Sequence, residues 1–136
     1  MKKVDHIAIA VADLETAERA YKDCLELEWQ GREEVAAQKV LTSVFRAGET
    51  RVELITPTSE DSPISAFLRK RGNGLHHICF EVADIEAEVA RLKEKGVRLL
   101  NETPRPGIEG SRVVFLHPQE VAGVLVELVE KKQPER

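Results

Sequence analysis

Apolar and polar side chains alternate at the start of the chain: in "VDHIAIAV", Ile7, Ile9 and Val11 share one face of a two-residue period, and His6, Ala8 and Ala10 share the other. Val4 to Val11 is therefore predicted as a strand. Asp13 stands where a helix N-cap is wanted. Ala17, Ala20, Tyr21, Cys24 and Leu25 then recur at helical spacing, which predicts a helix to about Leu25 with those residues as its apolar stripe. Strands follow at about Glu28–Val35, Val40–Arg46 and Thr50–Thr56, the last two joined by a turn at Ala47-Gly48-Glu49. A short helix, Pro63 to Lys70, is ended by Gly72-Asn73-Gly74. Beyond it come a strand at Leu75–Val82 and a helix capped by Asp84, with Ile85, Val89 and Leu92 on one face and Gly96 as its stop. Strands at about Val97–Leu100, Arg112–Leu116 and Val124–Val129 complete the pattern.

The second half repeats the first. "DHIAIAVADLETAERAYKD" matches "HHICFEVADIEAEVARLKE" at a constant spacing of 71 residues, which carries His6 onto His77 and Asp13 onto Asp84. "RVELITP" resembles "LVELVE" at a spacing of 74, which carries Glu53 onto Glu127. The element order is βαβββ twice. Either half alone would leave sheet edges exposed, so the expectation is an α+β fold in which the two modules form a joint curved mixed sheet. The whole chain, 1-136, is then a single domain built from repeats at about 4-57 and 74-130, with the linker helix at about 63-71.

Composition adds little beyond this. The 136 residues are 42% apolar and 32% charged, with a formal net charge of -4 and a pI near 5.6, an ordinary soluble balance. Neither nucleic acid nor a membrane is expected as a partner. The apolar run Ile7 to Ala12 is shorter than a signal-peptide core, so the cytoplasm is the expected compartment. Cys24 and Cys79 are expected to be buried, reduced thiols, and the polar tail Lys131 to Arg136 is expected to fray.

The candidate chemistry lies in the alternation. His6 falls beside Ala8 and Ala10, and His77 shares a face with Cys79, whereas His76 falls on the Ile78/Phe80 side. Glu53 and Glu127 each interrupt an apolar strand between Val and Leu. A carboxylate there is costly without a compensating cation. A lysine or arginine could serve, but one divalent metal would compensate both. Two imidazoles and two carboxylates offer N and O donors suited to Zn, Co, Fe, Ni or Mn, and leave two octahedral positions open. A lone strand histidine or glutamate is ordinarily a hydrogen-bonded or solvated residue; the case for a metal rests on the pair being repeated. His117, before Pro118, reads as a turn residue.

These residues give the chain a resemblance to the vicinal oxygen chelate superfamily. "DSPISAFL", "GLHHICFEV" and "FLHPQEVAGVLVEL" bring it particularly close to the methylmalonyl-CoA epimerase family within it. The resemblance spans Val4 to about Glu130. It implies a metal held by His6, Glu53, His77 and Glu127, with one divalent ion per chain. Co2+ is favoured, and Zn2+, Mn2+ or Ni2+ are also plausible. Some epimerases carry Gln where this chain has Glu53, a departure that adds a negative charge. The implied reaction interconverts (2R)- and (2S)-methylmalonyl-CoA by C2 proton abstraction through a metal-stabilised enolate, which belongs to propionate metabolism. Glu127 is the first candidate for the catalytic base. Some relatives carry a second glutamate in the third strand, but "QKVLTSVFRAG" has no carboxylate there; Gln38, Thr42 or Ser43 could position a water instead. Gly110 and Ser111, in the loop "RPGIEGSR", are candidates to bind the substrate carboxylate, and Arg69, Lys70 and Arg71 could meet coenzyme A phosphates. An acyl-CoA substrate and a homodimer are the implied partners. Two other readings stand beside this one: a glyoxalase I-type lyase/isomerase acting on a glutathione thiohemiacetal, and a metal-free small-molecule binding protein of the same fold.

Overall fold

The computed structural model describes residues 1–132. Its strands and helices run β1 (Lys3–Ala10), α1 (Leu14–Arg19), β2 (Glu28–Val35), β3 (Val40–Ala47), β4 (Thr50–Pro57), α2 (Pro63–Arg71), β5 (Gly74–Glu81), α3 (Ile85–Glu94), β6 (Arg105–Pro106), β7 (Arg112–Leu116) and β8 (Leu125–Glu130). Setting aside the linker helix α2, this is βαβββ twice, as the repeat predicts. The chain divides into two compact units. One is His6–His76; the other joins Met1–Asp5 to the chain from His77 onward.

In the His6–His76 unit the strands lie in the order β2-β3-β4-β1, with β1 parallel to β4 and the other pairs antiparallel. Val11, Leu14, Phe45, Val52 and Leu54 form a buried cluster against which Ile7, Ile9, Ala17 and Tyr21 pack. Ala8, Ala10, Val40, Ile55 and Ile64 form a second cluster, joined by Phe67 and Leu68 of α2. Asp13 caps α1 by accepting from the Thr16 N–H at 3.1 Å, and Ser62 caps α2 through the Ile64 N–H at 3.3 Å. The Asn73 side chain, just past α2, accepts from the Ala12 N–H at 3.0 Å and ties the linker to the β1–α1 corner.

The predicted stripe of α1 is corrected. The α-helix ends at Arg19 and continues as a π-helical turn, Ala20–Cys24. Its wider turn rotates later residues away from the 3.6-residue extrapolation. Ala20, Cys24 and Leu25 are exposed, and the inward face is Leu14, Ala17, Glu18 and Tyr21. Cys24 is therefore not a buried thiol; Cys79 is, and no disulfide joins the two.

In the other unit the order is β5-β8-β7-β6, with β5 parallel to β8. Val82, Ile85, Val89, Leu92, Val114, Leu116, Val126 and Leu128 form its core. Asp84 caps α3. Gly96, at φ 78°, closes the helix: its N–H reaches the Lys93 carbonyl at 3.0 Å, and the Val97 N–H reaches Leu92 at 2.9 Å. That pair of bonds is a Schellman cap, which only the left-handed glycine completes without strain. The strand predicted at Val97–Leu100 shrinks to a single bridge from Leu99 to Leu116, and the short strand β6 forms instead at Arg105–Pro106. The fraying predicted for the tail does not hold at Lys131, whose ammonium is 2.6 Å from buried Asp5 and 3.3 Å from Glu81. Gln133 to Arg136 lie outside the described residues.

The buried stripe of α1 contains one charge. Glu18 accepts from Arg32 Nε at 2.9 Å and from the Ser43 hydroxyl at 2.6 Å, while Trp29 Nε1 donates to the same hydroxyl at 2.9 Å. The Arg32 hydrogen bond, working against the cost of burial and aided by Ser43, pulls the Glu18 carboxyl from an ordinary 4.5 down to about 2. Its folded-state pKa is lower than the unfolded one, so the stability it adds is fully present above about pH 4.5 and is lost as pH falls through about 2. Glu18→Gln is expected to lower the unfolding free energy at pH 7 by about 1–2 kcal/mol, a modest figure because Arg32 lies near the surface. Urea titrations should show the gap to wild type closing between pH 5 and pH 2.

Candidate metal centre

Parallel pairing of β1 with β4 sets His6 opposite Arg51 and Ala8 opposite Glu53. Ile7 and Ile9 turn into the core, so His6, Ala8 and Ala10 line the opposite face, as the alternation requires. Ala8 is wholly buried and offers no bulk between His6 and Glu53. His6 itself is buried, and the Glu53 side chain is 15% exposed. The cation beside that carboxylate is a residue sequence reasoning did not single out. Arg51 Nη2 lies 3.1 Å from Glu53 Oε2 and 3.4 Å from His6 Nδ1. The signal was present in the parity: Arg51 is two residues before Glu53 and so shares its face.

The other unit repeats the arrangement. β5 pairs with β8 so that His77 lies opposite Leu125 and Cys79 opposite Glu127. In each half the histidine precedes by two residues the small buried residue that faces the glutamate, Ala8 in one and Cys79 in the other. Here Leu125 occupies the place that Arg51 holds in the first half. His77 Nε2 stands 3.7 Å from Glu127 Oε1, with both side chains about equally shielded, at 15% and 14% exposed. That separation is longer than a hydrogen bond. It places an imidazole nitrogen and a carboxylate oxygen near one another as two donors of the kinds a borderline divalent ion accepts.

His76 has a different setting. Its ring meets Phe67 of α2 edge-on, with centroids 5.0 Å apart and planes at 75°. Burial, helped by the positive charge of Arg71, lowers its pKa and favours the neutral imidazole. His117 caps the 3-10 turn Pro118–Val121 by accepting from the Gln119 N–H at 3.2 Å, the turn role expected of it.

The remaining candidates fall in varied places. Ser43 is corrected as a water-positioning residue: its hydroxyl is fully buried on the α1 side and held by Glu18 and Trp29. Thr42 is opposite Ile55 in the β3–β4 register, and Val44 opposite Glu53, so buried Thr42 lies on the face that carries the glutamate. Gln38 is exposed at the end of the turn Ala36–Gln38. Gly110 and Ser111 belong to the tight loop between β6 and β7. There the Gly107 N–H donates to the Ser111 carbonyl at 2.8 Å, and Ser111 is buried. A Cβ on Gly107 would fall 2.5 Å from the Ser111 hydroxyl oxygen and 3.2 Å from Val113 Cγ1, so a side chain there would have to turn the serine hydroxyl aside. Arg69, Lys70 and Arg71 are exposed on the last turn of α2, where their charge also suits the helix dipole.

Comparison with known proteins bears on this geometry. The sequence model of the Glyoxalase/Bleomycin resistance protein/Dioxygenase superfamily matches residues 5–115. The ethylmalonyl-CoA/methylmalonyl-CoA epimerase of Cereibacter sphaeroides is 42% identical over 128 residues, covering 93% of this chain and 96% of that protein. The mitochondrial methylmalonyl-CoA epimerase of Homo sapiens is 42% identical over 127 residues, covering 93% and 72%. Among solved structures, a methylmalonyl-CoA epimerase in complex with methylmalonyl-CoA and NH4+ is 38% identical, with a TM-score of 0.87 over 99% of this chain and 98% of that one. By sequence and by fold, the chain belongs to the glyoxalase/bleomycin resistance protein/dioxygenase superfamily and, within it, to the methylmalonyl-CoA epimerase family.

Proposed function

We propose that this protein is a metal-dependent epimerase that interconverts (2R)- and (2S)-methylmalonyl-CoA, with His6, Glu53, His77 and Glu127 as the donors to one divalent ion. The observation that carries the reading is the doubled histidine–glutamate pair, set in both halves by the same parallel-strand register. The substrate is carried over from the relatives, which are methylmalonyl-CoA epimerases. The donor set fits the ion: two imidazoles bring no charge, and two carboxylates balance 2+. On the strength of the resemblance, the reading extends to Co2+ as the ion to test first, a homodimer as the assembly and the cytoplasm as the compartment.

The reaction must break a C–H bond flanked by a thioester and a carboxylate. When bound, a divalent ion supplies Lewis acidity, which offsets the negative charge that develops on the thioester oxygen. The protein's own part is proton transfer and orientation. Glu127 takes the C2 proton on a carboxylate oxygen; its place in mid-strand, between buried Val126 and Leu128, fixes the backbone from which it reaches. Inversion then needs a proton delivered to the opposite face. β3 carries no carboxylate, so water is the second carrier in this reading. Gly110 and Ser111 are assigned to the substrate carboxylate, in a loop whose ends are joined by the Gly107–Ser111 backbone hydrogen bond.

Two measurements test the reading. The Co2+-loaded protein, given one epimer of methylmalonyl-CoA in heavy water, should racemise it with deuterium entering C2. Neither change with Co2+, Zn2+, Mn2+ or Ni2+ would overturn the proposal, and turnover of a glutathione thiohemiacetal instead would favour the lyase. Glu127→Gln should slow exchange by about 10²–10⁴-fold, the usual contribution of a positioned base. In metal titrations, His77→Ala is expected to abolish measurable Co2+ binding, while His76→Ala stays within about threefold of wild type. The reverse order would show that the ligand has been assigned to the wrong histidine.

A further inference from the structure

The two halves compensate their glutamates differently, and the difference centres on one side chain. Arg51 Nη2 sits 3.1 Å from Glu53 Oε2 and 3.4 Å from His6 Nδ1, whereas the corresponding residue of the second half is Leu125. A guanidinium carries five N–H donors and no lone pair. At His6 it can therefore meet only a nitrogen that is accepting. If that nitrogen is the one offered to an ion, Arg51 must leave it. If the ion takes the other ring nitrogen, Nδ1 must carry the proton, and two donors then face one another. In either case Arg51 and a divalent ion exclude each other at His6. At Glu53 they compete for carboxylate lone pairs, and like charge sets them apart.

We propose that Arg51 is a placeholder cation: it holds His6 and Glu53 in position while no divalent ion is bound and must be displaced when one binds. The proposal rests on the reading of His6 and Glu53 as ligands. It assigns Arg51 a positioning role that acts through those two residues, with no contact to substrate. The metal-free protein then never presents Glu53 as an uncompensated charge, and part of the ion's binding free energy goes into moving the guanidinium. The second half, with Leu125 in the matching place, carries no such competitor at that position.

The test is calorimetric titration of full-length protein with Co2+, alongside melting curves with and without the ion. Arg51→Met should bind Co2+ on the order of tenfold more tightly than wild type, because it removes a competitor and a like charge at once. Its metal-free form should melt lower, and its rise in Tm on adding Co2+ should exceed that of wild type. The double variant Arg51→Met/Glu53→Gln, which removes one positive and one negative charge together, should bind no more tightly than wild type. Should Arg51→Met fail to fold, Arg51→Gln carries the same expectation. Wild type that binds Co2+ beside an Arg51 variant of equal or weaker affinity would overturn the placeholder and leave the ligand assignment standing. Wild type that binds none of Co2+, Zn2+, Mn2+ or Ni2+ would overturn the ligand assignment and the placeholder with it.

Discussion

A carboxylate in the middle of an apolar strand is the constraint from which each half is built. Glu53 stands between buried Val52 and Leu54, and Glu127 between buried Val126 and Leu128. The two-residue period sends those neighbours to the helix side and turns the glutamate the other way. Across the parallel ladder, the residue facing the glutamate must be small, and it is Ala8 in one half and Cys79 in the other, both fully buried. A leucine in place of Cys79 would fill the space over which His77 and Glu127 approach, and one in place of Ala8 would crowd the Arg51 guanidinium that links His6 to Glu53. Histidine, small residue and glutamate therefore act as one unit, and the strand register is what holds them to it.

Within that common plan the halves differ in charge. The first carries His6, Arg51 and Glu53 together; the second brings His77 directly toward Glu127, with Leu125 alongside. The two copies thus share one strand register, while one carries a cation where the other has Leu125. Close to Glu53 the arginine matters more than a fully exposed charge would, because the pair is partly buried and so less screened by water and salt.

Much of this was legible in the amino-acid sequence because it is governed by parity. A period of two, repeated at a fixed spacing, assigned the faces of His6, His77, Glu53 and Glu127 and separated His76, which does pack elsewhere, against Phe67. The caps at Asp13 and Asp84 and the stop at Gly96 were readable for a related reason: each depends on one residue's own backbone and side chain. What was missed depends on neighbours distant in the chain. The π-helical turn that turns Cys24 and Leu25 outward follows no local period. Glu18 reads as a solvated helix charge until Arg32 of β2 and Ser43 of β3 are brought to it. Arg51 was passed over because a charge at the start of an apolar strand is usually a surface residue, and only the β1–β4 register brings it to His6.

The division of the chain has a consequence for how such a molecule can be taken apart. The boundary between the units falls inside β1, after Asp5, so the first five residues go with the later half. The Lys2 N–H bonds the Glu81 carbonyl at 2.7 Å, and Asp5 is held by Lys131. A gene cut at the linker would give an amino-terminal piece bearing a short segment foreign to its own unit. The carboxy-terminal piece would lack Asp5, the nearer of the two carboxylates that hold its Lys131. The ancestral duplication visible in the letters is therefore not a seam along which today's protein separates cleanly, and a rearranged gene that moves those five codons to the other end would follow its structure more faithfully than a bisected one.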